Sequence, residues 1–544
     1  MIKKVYRPAV LLVLDGFGLA PPGPGNAVEL ARKPNFKRLW KNYPHTELCA
    51  SSECVGLSDD QSGNSEAGHM NIGAGRVVLQ DGLIIDRAIE DKTFYSNFTL
   101  TNAVDHVRAN KSRLHIMGML SDGNSPHSCL THLLALIRWS KLQKVDKVFL
   151  HLFTDGRDAP QRSVNRLLDT FLNEAARINN GPRNFEIVSL IGRFYAMDRG
   201  KNWSRTEAAY KCLTSNHTVH FSDYHEAIEH SYNLGLTDEY LVPSIINSSR
   251  PGFEKSRIHN NDAVIFFNLR SDRARQLTKA FVQKDFNRRN PDSFTRRLVL
   301  KNLFFCDLTG FGPDLAQSVG TAFPGAEMIG TLPFMMNSYR QLYIAETEKF
   351  AHVTYFINGG YPDPVFGETR VRIPSPVVDS YKDKPEMAAY KITEYVLRQI
   401  KNKKYDFIVI NLANPDMVGH TGDLPATIKA VEHVDVCLGK IDKAVRAHRG
   451  TLFVTADHGN AEMMIIPETG ETHNSHTTNP VPFIIVNSLR KDVKLQKGNL
   501  GDIAPTIYDF LDVPTISQHV TGQSLIKHKK IVYGSKKTAC SYRA

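Results

Sequence analysis

Short apolar runs alternate along the chain with segments whose apolar residues recur every three or four positions. Such runs are apolar on both faces, as buried parallel strands are. Strands that alternate with helices predict an α/β fold with mostly parallel sheets. The predicted strands are Val10–Leu14, Leu114–Met119, Val148–Phe153, Ile187–Ile191, Ala263–Phe267, Val353–Ile357, Phe407–Asn411, Leu452–Thr455 and Phe483–Val486.

Helical spacing is clearest in two later segments. One helix is predicted over Pro385–Lys401 with Asp383 as its N-cap, and the other over Pro425–Ala447 with Gly450 near its end. The segment Gly310–Pro333 is rich in glycine and proline, which is typical of a linker between domains.

The chain has 544 residues and a formal net charge of +11. At the usual domain size this length predicts more than one domain. A basic chain suits either a nucleic-acid partner or a basic surface with arginines that hold an anionic substrate. Because the basic residues are scattered, we favour the second interpretation and expect no nucleic-acid partner. Lysine clusters near the end predict a solvated tail: Lys527, Lys529, Lys530, Lys536 and Lys537.

The seven cysteines are widely spaced and include no C-x-x-C pair. This spacing argues against a disulfide framework or a cysteine zinc site and favours a reducing cytoplasm. The first apolar run, Ala9–Leu14, is too short for a signal peptide, and no segment predicts a membrane span.

An acidic residue comes shortly after the end of each of three predicted strands. These residues are Asp15, Asp416 and Asp457. In open α/β sheets functional groups gather just past the carboxyl ends of strands, so these carboxylates are expected at one sheet edge. Histidines accompany them at His420, His458 and His476. Mixed aspartate and histidine ligands suit Mn²⁺ or Zn²⁺ better than an all-oxygen site for Mg²⁺ or Ca²⁺.

A polar, glycine-rich segment over Gln61–Arg76 carries the candidate nucleophile. Ser65 follows Gly63 and Asn64, and a helix that begins there would direct its free N–H groups at an anion. By composition alone, Ser62 is an equal candidate, and either serine is also consistent with a simple helix cap.

Arginines follow three of the predicted strands of the middle region. Arginine is mostly exposed, so any one of them alone indicates a solvated surface, but their succession predicts an anion site. The residues concerned are Arg157 with Asp158, Arg193 with Arg199, and Arg270 with Arg273; His127 follows a fourth strand.

Several of these segments together resemble one enzyme family. NSEAGHMNIGAGR around Ser65 is similar to the motif NSEVGHxNIGAGR of the cofactor-independent phosphoglycerate mutases. DGFG, NPDMVGH and TADHGNAE resemble the metal motifs of that family, and TDGRD, GRFYAMDR, RSDR and AETEKFAH resemble its substrate-binding segments. The resemblance extends from about Val10 to the 520s.

The resemblance implies a two-metal site, most consistent with Mn²⁺, in an alkaline-phosphatase-like domain. One ion would take Asp416, His420 and His476, and the other Asp15, Ser65, Asp457 and His458. Ser65 would form a phosphoserine while 3-phosphoglycerate and 2-phosphoglycerate interconvert, with Asp158 as acid and base and Lys349 as a charge stabiliser. The implied substrate contacts are His127, Arg157, Asp158, Arg193, Arg199, Arg270, Arg273 and Lys349. The chain is one residue longer than the family pattern before His127, which leaves His132 as an alternative.

We therefore expect a metal-binding domain made of residues 1–80 and 320–544, with a substrate-binding domain of residues 81–315 inserted into it. The expected protein is a cytoplasmic monomer that acts on a phosphoglycerate. Two alternatives remain at this point. A metal-dependent phosphatase or another phosphomutase would share the metal residues, and a basic nucleic-acid-binding protein would need none of them.

Overall fold

The computed structural model describes residues 7–121, 125, 127–179, 183–246, 249, 251–312, 314–325, 328–467, 469–514 and 518–528. The lysines predicted in a solvated tail at positions 529, 530, 536 and 537 lie outside these residues. The chain divides into two compact units. The first consists of Met1–Gln80 and Glu327–Ala544, and the second of Asp81–Ala326.

Strands run through both units. They are β1 (Ala9–Leu14), β2 (His45–Cys49), β3 (Leu114–Met119), β4 (Val148–Thr154), β5 (Phe185–Gly192), β6 (Val219–His220), β7 (Ser244–Ile245), β8 (Ala263–Phe266), β9 (Phe304–Asp307), β10 (Gly320–Thr321), β11 (Gln341–Glu346), β12 (Thr369–Ile373), β13 (Phe407–Leu412), β14 (Thr451–Thr455), β15 (Val481–Val486) and β16 (Gly498–Asn499).

Helices connect most of the strands. They are α1 (Ala27–Leu30), α2 (Pro34–Asn42), α3 (Ser65–Ala74), α4 (Asp81–Glu90), α5 (Phe98–Asn110), α6 (Leu130–Leu142), α7 (Val164–Asn179), α8 (Arg193–Ala196), α9 (Trp203–Thr214), α10 (Tyr224–Asn233), α11 (Ser271–Val282), α12 (Phe286–Arg289), α13 (Leu332–Met335), α14 (Ala389–Lys401), α15 (Asn414–Gly419), α16 (Leu424–Ala447) and α17 (Ile503–Leu511).

The first unit is built on an eight-stranded sheet in the order β12-β11-β13-β1-β14-β15-β2-β16. The strands from β12 to β14 are parallel, whereas β15 pairs antiparallel with both β14 and β2. Every residue of β1 is buried, because its sequence AVLLVL is apolar on both faces and helices cover both. The carboxyl ends of β13, β1 and β14 therefore lie side by side at one edge.

Helix α16 shows how local sequence fixes an element of this unit. Asp423 caps it by accepting a hydrogen bond from the backbone N–H of Ala426, and Pro425 occupies its first turn. Its apolar stripe, which includes Val434, Leu438 and Ile441, is buried in the core of the unit.

The second unit has its own eight-stranded sheet, in the order β10-β9-β8-β3-β4-β5-β7-β6. All pairs are parallel except β5 with β7. The side chains of neighbouring residues in β3 pack into different apolar clusters. Ile116 joins one apolar cluster and Met117 the other, as expected for a strand covered on both faces.

The structure confirms the α/β class and eight of the nine predicted strands, with ends shifted by up to two residues. The predicted strand Val353–Ile357 is wrong, because this segment lies in a π-helical turn over His352–Phe356. Val353 and Ile357 are both fully buried while Tyr355 is 39% exposed, which is helical rather than alternating burial.

Two further expectations are corrected. The first long helix begins at Ala389 with Ala388 at its N-cap, whereas Asp383 lies in a separate 3-10 turn over Tyr381–Asp383. Cys49 and Cys54 form a disulfide across the bend that follows β2, with their Cα atoms 5.9 Å apart. This short-range pairing was not predicted from the cysteine spacing. Among the described helices, none combines the length and the apolar character needed to cross a bilayer.

Candidate active site

The three acids predicted at strand ends lie together in the first unit. Asp15 follows β1 directly, Asp457 lies two residues beyond β14, and Asp416 lies in the first turn of α15, which follows β13. Because β1 pairs with β13 on one side and β14 on the other, the parallel strand ends bring all three carboxylates to one edge. All three are almost completely buried.

Asp416, His420 and His476 form the first cluster. Asp416 Oδ1 lies 3.3 Å from Nε2 of each histidine, and the two Nε2 atoms are 3.0 Å apart. Burial would raise the pKa of Asp416, but Lys349 and the two histidines hold it well below its ordinary value. Burial, reinforced by His458, lowers the pKa of His476 to about 4, so this imidazole is neutral and able to act as a ligand near pH 7.

Asp15, Asp457 and His458 form the second cluster, and Ser65 belongs with them. His458 Nε2 lies 2.9 Å from Ser65 Oγ, 3.6 Å from Asp15 Oδ1 and 3.5 Å from Asp457 Oδ2. Burial and the neighbouring charge of Asp457 raise the pKa of Asp15 to about 6. The Oδ2 atom of Asp457 is buried and accepts no hydrogen bond within the described residues.

These two donor sets fit divalent metal ions. Each gathers carboxylate oxygen and imidazole nitrogen atoms within 4.8 Å of one another, which is the ligand chemistry of Mn²⁺ and Zn²⁺ centres. The Oδ2 atom of Asp457 is buried, with imidazole nitrogens of His69 and His458 at 3.2 and 3.5 Å but no well-directed hydrogen bond from a described residue, and a cation beside it would offset the cost of burying its charge.

Ser65 is the first residue of α3, and Asn64 caps that helix by accepting a hydrogen bond from the backbone N–H of Ala67. Ser65 Oγ donates towards Asp15 Oδ1 at 3.4 Å and lies within hydrogen-bond distance of His458 Nε2. The helix start that the sequence only suggested is therefore present. Within the described part of the chain, Ser62 makes none of these contacts.

Lys349 is buried between the two clusters. Its Nζ donates to Ser65 Oγ at 2.6 Å and lies 2.7 Å from both Asp15 Oδ1 and Asp416 Oδ2. Burial alone would lower the pKa of Lys349, but Asp15, Asp416 and Asp457 outweigh it and hold the pKa above its ordinary value. The side chain is therefore a fixed positive charge beside the serine hydroxyl.

Glu462 and Asn460 hold the loops at this edge together, although no role was predicted for them from the sequence. Buried Glu462 accepts hydrogen bonds from the backbone N–H groups of Gly18 and Asn460, at 3.0 and 2.8 Å, and from Thr477 and Asn479. Asn460 in turn donates through its side-chain amide to Asp416 Oδ1 at 3.0 Å. Their only signal in the sequence is their place in the TADHGNAE segment.

Gly16 permits the close approach of Asp15 and Asp416. It has a φ of +71°, and a Cβ built there would lie 2.7 Å from the Cβ of Asp416. Any larger residue at this position would strain the backbone and push the two strand ends apart.

The second unit gathers part of the predicted anion set. Arg193 is buried, and its Nη1 donates to Asp155 Oδ1 at 2.5 Å and to Asp158 Oδ2 at 2.7 Å. Asp155 Oδ1 also accepts the backbone N–H groups of Arg157 and Asp158, so it shapes the loop after β4. Asp155 was not assigned from the sequence. Burial would raise the pKa of Asp158, but Arg193 and Ser125 hold it below its ordinary value.

The structure places His127, not His132, near this group. His127 Nε2 lies 4.0 Å from Asp158 Oδ2, and burial together with Arg193 lowers the pKa of His127 to about 3. His132 lies in the first turn of α6, where its Nε2 is 2.9 Å from Oδ1 of Asp86. Asp122 and Gly123, which precede His127, lie outside the described residues.

The remaining arginines lie closer to the surface. Arg157 lies 3.4 Å from Glu239, Arg199 bonds Asp272 at 2.6 Å, and Arg273 donates to the carbonyl oxygen of Met197. Arg270 is the N-cap residue of α11. Burial lowers the pKa of Arg273, and the positive charges of Arg193 and Arg199 lower it further. These three arginines are therefore close enough to influence one another electrostatically.

Comparison with known proteins bears on both the fold and the site. The family model of the metalloenzyme superfamily matches residues 7–515. The 2,3-bisphosphoglycerate-independent phosphoglycerate mutase of Moorella thermoacetica is 46% identical over 524 residues, which are 96% of this chain and 99% of that protein. The Clostridium botulinum protein of the same name is 44% identical over 523 residues, with the same coverage.

A solved structure agrees with these relatives. The crystal structure of Leishmania mexicana phosphoglycerate mutase at low cobalt concentration has a TM-score of 0.74 and 29% identity, and the match covers 97% of this chain and 99% of that one. The α/β fold and its Asp/His clusters thus define a metalloenzyme that uses divalent metal. Within that superfamily, the chain belongs to the family of 2,3-bisphosphoglycerate-independent phosphoglycerate mutases.

Proposed function

We propose that this enzyme interconverts 3-phosphoglycerate and 2-phosphoglycerate through a phosphoserine at Ser65. The proposal rests on the contacts of the Ser65 hydroxyl. Ser65 Oγ lies 2.6 Å from Lys349 Nζ and 2.9 Å from His458 Nε2, at the start of a helix whose dipole favours an anion. A mutase that needs no bisphosphorylated cofactor has to hold the phosphoryl group on the protein between its two transfers.

In the forward direction, Ser65 Oγ gives up its proton towards Asp15 Oδ1 and forms a bond to phosphorus, while the bond between phosphorus and the glycerate oxygen breaks and Asp158 passes that oxygen a proton from the other glycerate hydroxyl. Lys349 donates its hydrogen bond to Oγ and places a positive charge beside the transferring group. The return step reverses these events, because the other glycerate hydroxyl attacks phosphorus and Ser65 leaves. Serine is thus both nucleophile and leaving group.

We propose two divalent ions, most simply Mn²⁺, one held by Asp416, His420 and His476 and the other by Asp15, Ser65, Asp457 and His458. When bound, such ions lower the pKa of a serine hydroxyl and neutralise charge on phosphoryl oxygens. The mixed oxygen and nitrogen donors of the two clusters support this choice of metal.

We propose that the second unit binds the phosphoglycerate anion. Its carboxylate and phosphate suit the planar fork of arginine, and the candidates are Arg157, Arg193, Arg199, Arg270 and Arg273, with His127. Asp158 is the candidate acid and base on the glycerate hydroxyls. The hydrogen bond from Arg193 supports the base part of that role, because it keeps the carboxylate ionised and oriented to take a proton from one glycerate hydroxyl, which it can then pass to the other oxygen. A monomer without a nucleic-acid partner is the organisation we propose.

The deciding experiment assays 2-phosphoglycerate formation from 3-phosphoglycerate without added 2,3-bisphosphoglycerate, before and after EDTA treatment and Mn²⁺ replacement. We expect turnover that EDTA abolishes and Mn²⁺ restores. Release of inorganic phosphate without 2-phosphoglycerate would identify a phosphatase instead.

The site of the intermediate is tested by rapid quenching with labelled 3-phosphoglycerate, followed by peptide mass spectrometry. The label should map to Ser65. Ser65→Ala should bind substrate without turnover, and Ser62→Ala, three residues away in the same segment, is the matched control that should retain most activity. A label on Ser62, or an acid-labile phosphohistidine, would overturn the assignment.

A further inference from the structure

His69 connects the serine and both aspartates of the second cluster. It lies one helical turn after Ser65 in α3 and is completely buried. Its Nδ1 is 2.9 Å from the carbonyl oxygen of Ser65 and 3.2 Å from Asp457 Oδ2. On the other side of the ring, Nε2 is 3.1 Å from the side-chain nitrogen of Asn411, in β13.

The hydrogen-bond network determines which ring nitrogen carries the proton. The amide nitrogen of Asn411 donates to Asp15 Oδ2 at 2.6 Å, and the opposite amide orientation would place its oxygen against that carboxylate. An amide nitrogen can only donate, so Nε2 of His69 accepts and carries no proton. Nδ1 therefore carries the proton and donates it to the Ser65 carbonyl oxygen, with Asp457 Oδ2 beside it.

We propose that His69 and Asn411 are positioning residues that hold Asp15, Asp457 and Ser65 in the geometry for one divalent ion. This inference rests on the proposed function in taking these residues as the ligands of that ion. Asn411 occupies Oδ2 of Asp15 and leaves Oδ1 facing Ser65 and His458. His69 fixes the backbone of the serine relative to the carboxylate of Asp457.

Tight packing supports this arrangement. A Cβ built on Gly68 would lie 2.5 Å from the backbone oxygen of Asp457 and 2.9 Å from its Cβ, so α3 lies directly against the residue after β14. With this distance fixed by backbone contact, the ring of His69 has little freedom to move away from Asp457. Partners that orient metal ligands in this way typically change metal affinity 10- to 100-fold when they are lost.

Two substitutions at position 69 separate the two sides of the ring. His69→Asn keeps an amide nitrogen close to the position of Nδ1, whereas His69→Gln places its amide near Nε2 and leaves Nδ1 without a substitute. We expect His69→Gln and Asn411→Ala to weaken Mn²⁺ binding at one of two sites about 10- to 100-fold. His69→Asn should stay within about threefold of wild type, because it retains the Nδ1 donor.

The measurement is a Mn²⁺ titration of the full-length metal-free enzyme by electron paramagnetic resonance, with thermal unfolding in EDTA to confirm that each variant is folded. His352→Gln is the matched control, since this partly buried neighbour has its ring 5.5 Å from that of His69 yet its Nδ1 has no hydrogen-bond partner among the described residues. It should bind Mn²⁺ within threefold of wild type.

Turnover gives the second readout. Saturating Mn²⁺ should restore most of the kcat of His69→Gln, with the KM for phosphoglycerate unchanged. Equal Mn²⁺ affinity in His69→Gln and wild type would overturn the inference, as would equal loss in His69→Asn and His69→Gln. Because the primary readout is metal binding, wild-type enzyme that binds Mn²⁺ but lacks mutase activity would remove the proposed function and leave this inference standing.

Discussion

Glu462→Gln tests whether a single buried carboxylate holds the metal-bearing loops together. Glu462 receives four donors, two on each of its oxygens, from Gly18, Asn460, Thr477 and Asn479. Glutamine has nearly the same volume and leaves no cavity. Its amide NH₂ group cannot accept from the backbone N–H groups of Gly18 and Asn460, so it has to face Thr477 and Asn479, whose hydroxyl and side-chain amide must reorient to accept. The four hydrogen bonds also lose their charge assistance, at about 1 kcal/mol each, so the expected destabilisation is about 3 to 4 kcal/mol.

The assay is amide hydrogen exchange with mass spectrometry in EDTA, read on peptides that cover residues 451–466. A loss of 3 kcal/mol should speed exchange through opening of this region by at least about 100-fold, since 1.4 kcal/mol is a factor of ten. Weaker Mn²⁺ binding should accompany it, because Asn460 donates to Asp416. Glu471→Gln, an exposed residue of the same segment, is the matched control. Protection in Glu462→Gln within threefold of that control would refute the reasoning.

Three other outcomes follow from the structure. Asp416→Ala and His458→Ala should each lose activity and bound Mn²⁺ while circular dichroism stays native-like, and normal metal content in either would remove that ligand from the site. Arg270→Ala should raise the ratio of phosphate release to mutase turnover, because glycerate held less firmly escapes before the return transfer; an unchanged ratio would show that Arg270 does not retain it. Burial raises the pKa of Asp307, at the end of β9, to about 7 from 3.8. The unfolded chain therefore binds fewer protons between those values, and this carboxyl lowers stability as pH rises from about 4 to 7. Asp307→Asn should flatten that dependence, seen as a smaller difference between thermal unfolding at pH 5 and pH 8.

The sequence carried enough information to predict most strands and the residues at their ends. Runs such as VLLVL are apolar at every position, and only a strand covered on both faces needs that, so β1 and the acid after it could be predicted together. Val353–Ile357 failed because a short apolar run looks alike in a strand and in one buried helical turn.

The site was less accessible to sequence reasoning where contacts join distant segments. Spacing could bring three acids to one edge, but it could not divide them between two clusters, and only the resemblance supplied that division. Some residues of the site act through hydrogen bonds to residues up to several hundred positions away, and no local sequence pattern predicts which residues will pair in this way. They are Glu462, Asn460, His69 and Asn411. The prediction of Asp383 as an N-cap failed for a related reason. Aspartate is a good capping residue, but here the chain makes a separate turn before the helix begins at Ala389.

The central position of β1 has a consequence for synthesis on the ribosome. This strand is synthesised long before its sheet neighbours β13 and β14, and Gly16 pairs with Asp457 across 441 positions. At 5 to 20 residues per second, roughly 20 to 90 s pass between the two. The second unit is one continuous stretch of the chain, so it can be completed during that time. Asp15 and Ser65 are already synthesised by then, but Asp457 and His458 are not. A nascent chain that has not yet reached the residues after β14 therefore cannot assemble the cluster around Ser65, because Asp457 and His458 are still missing.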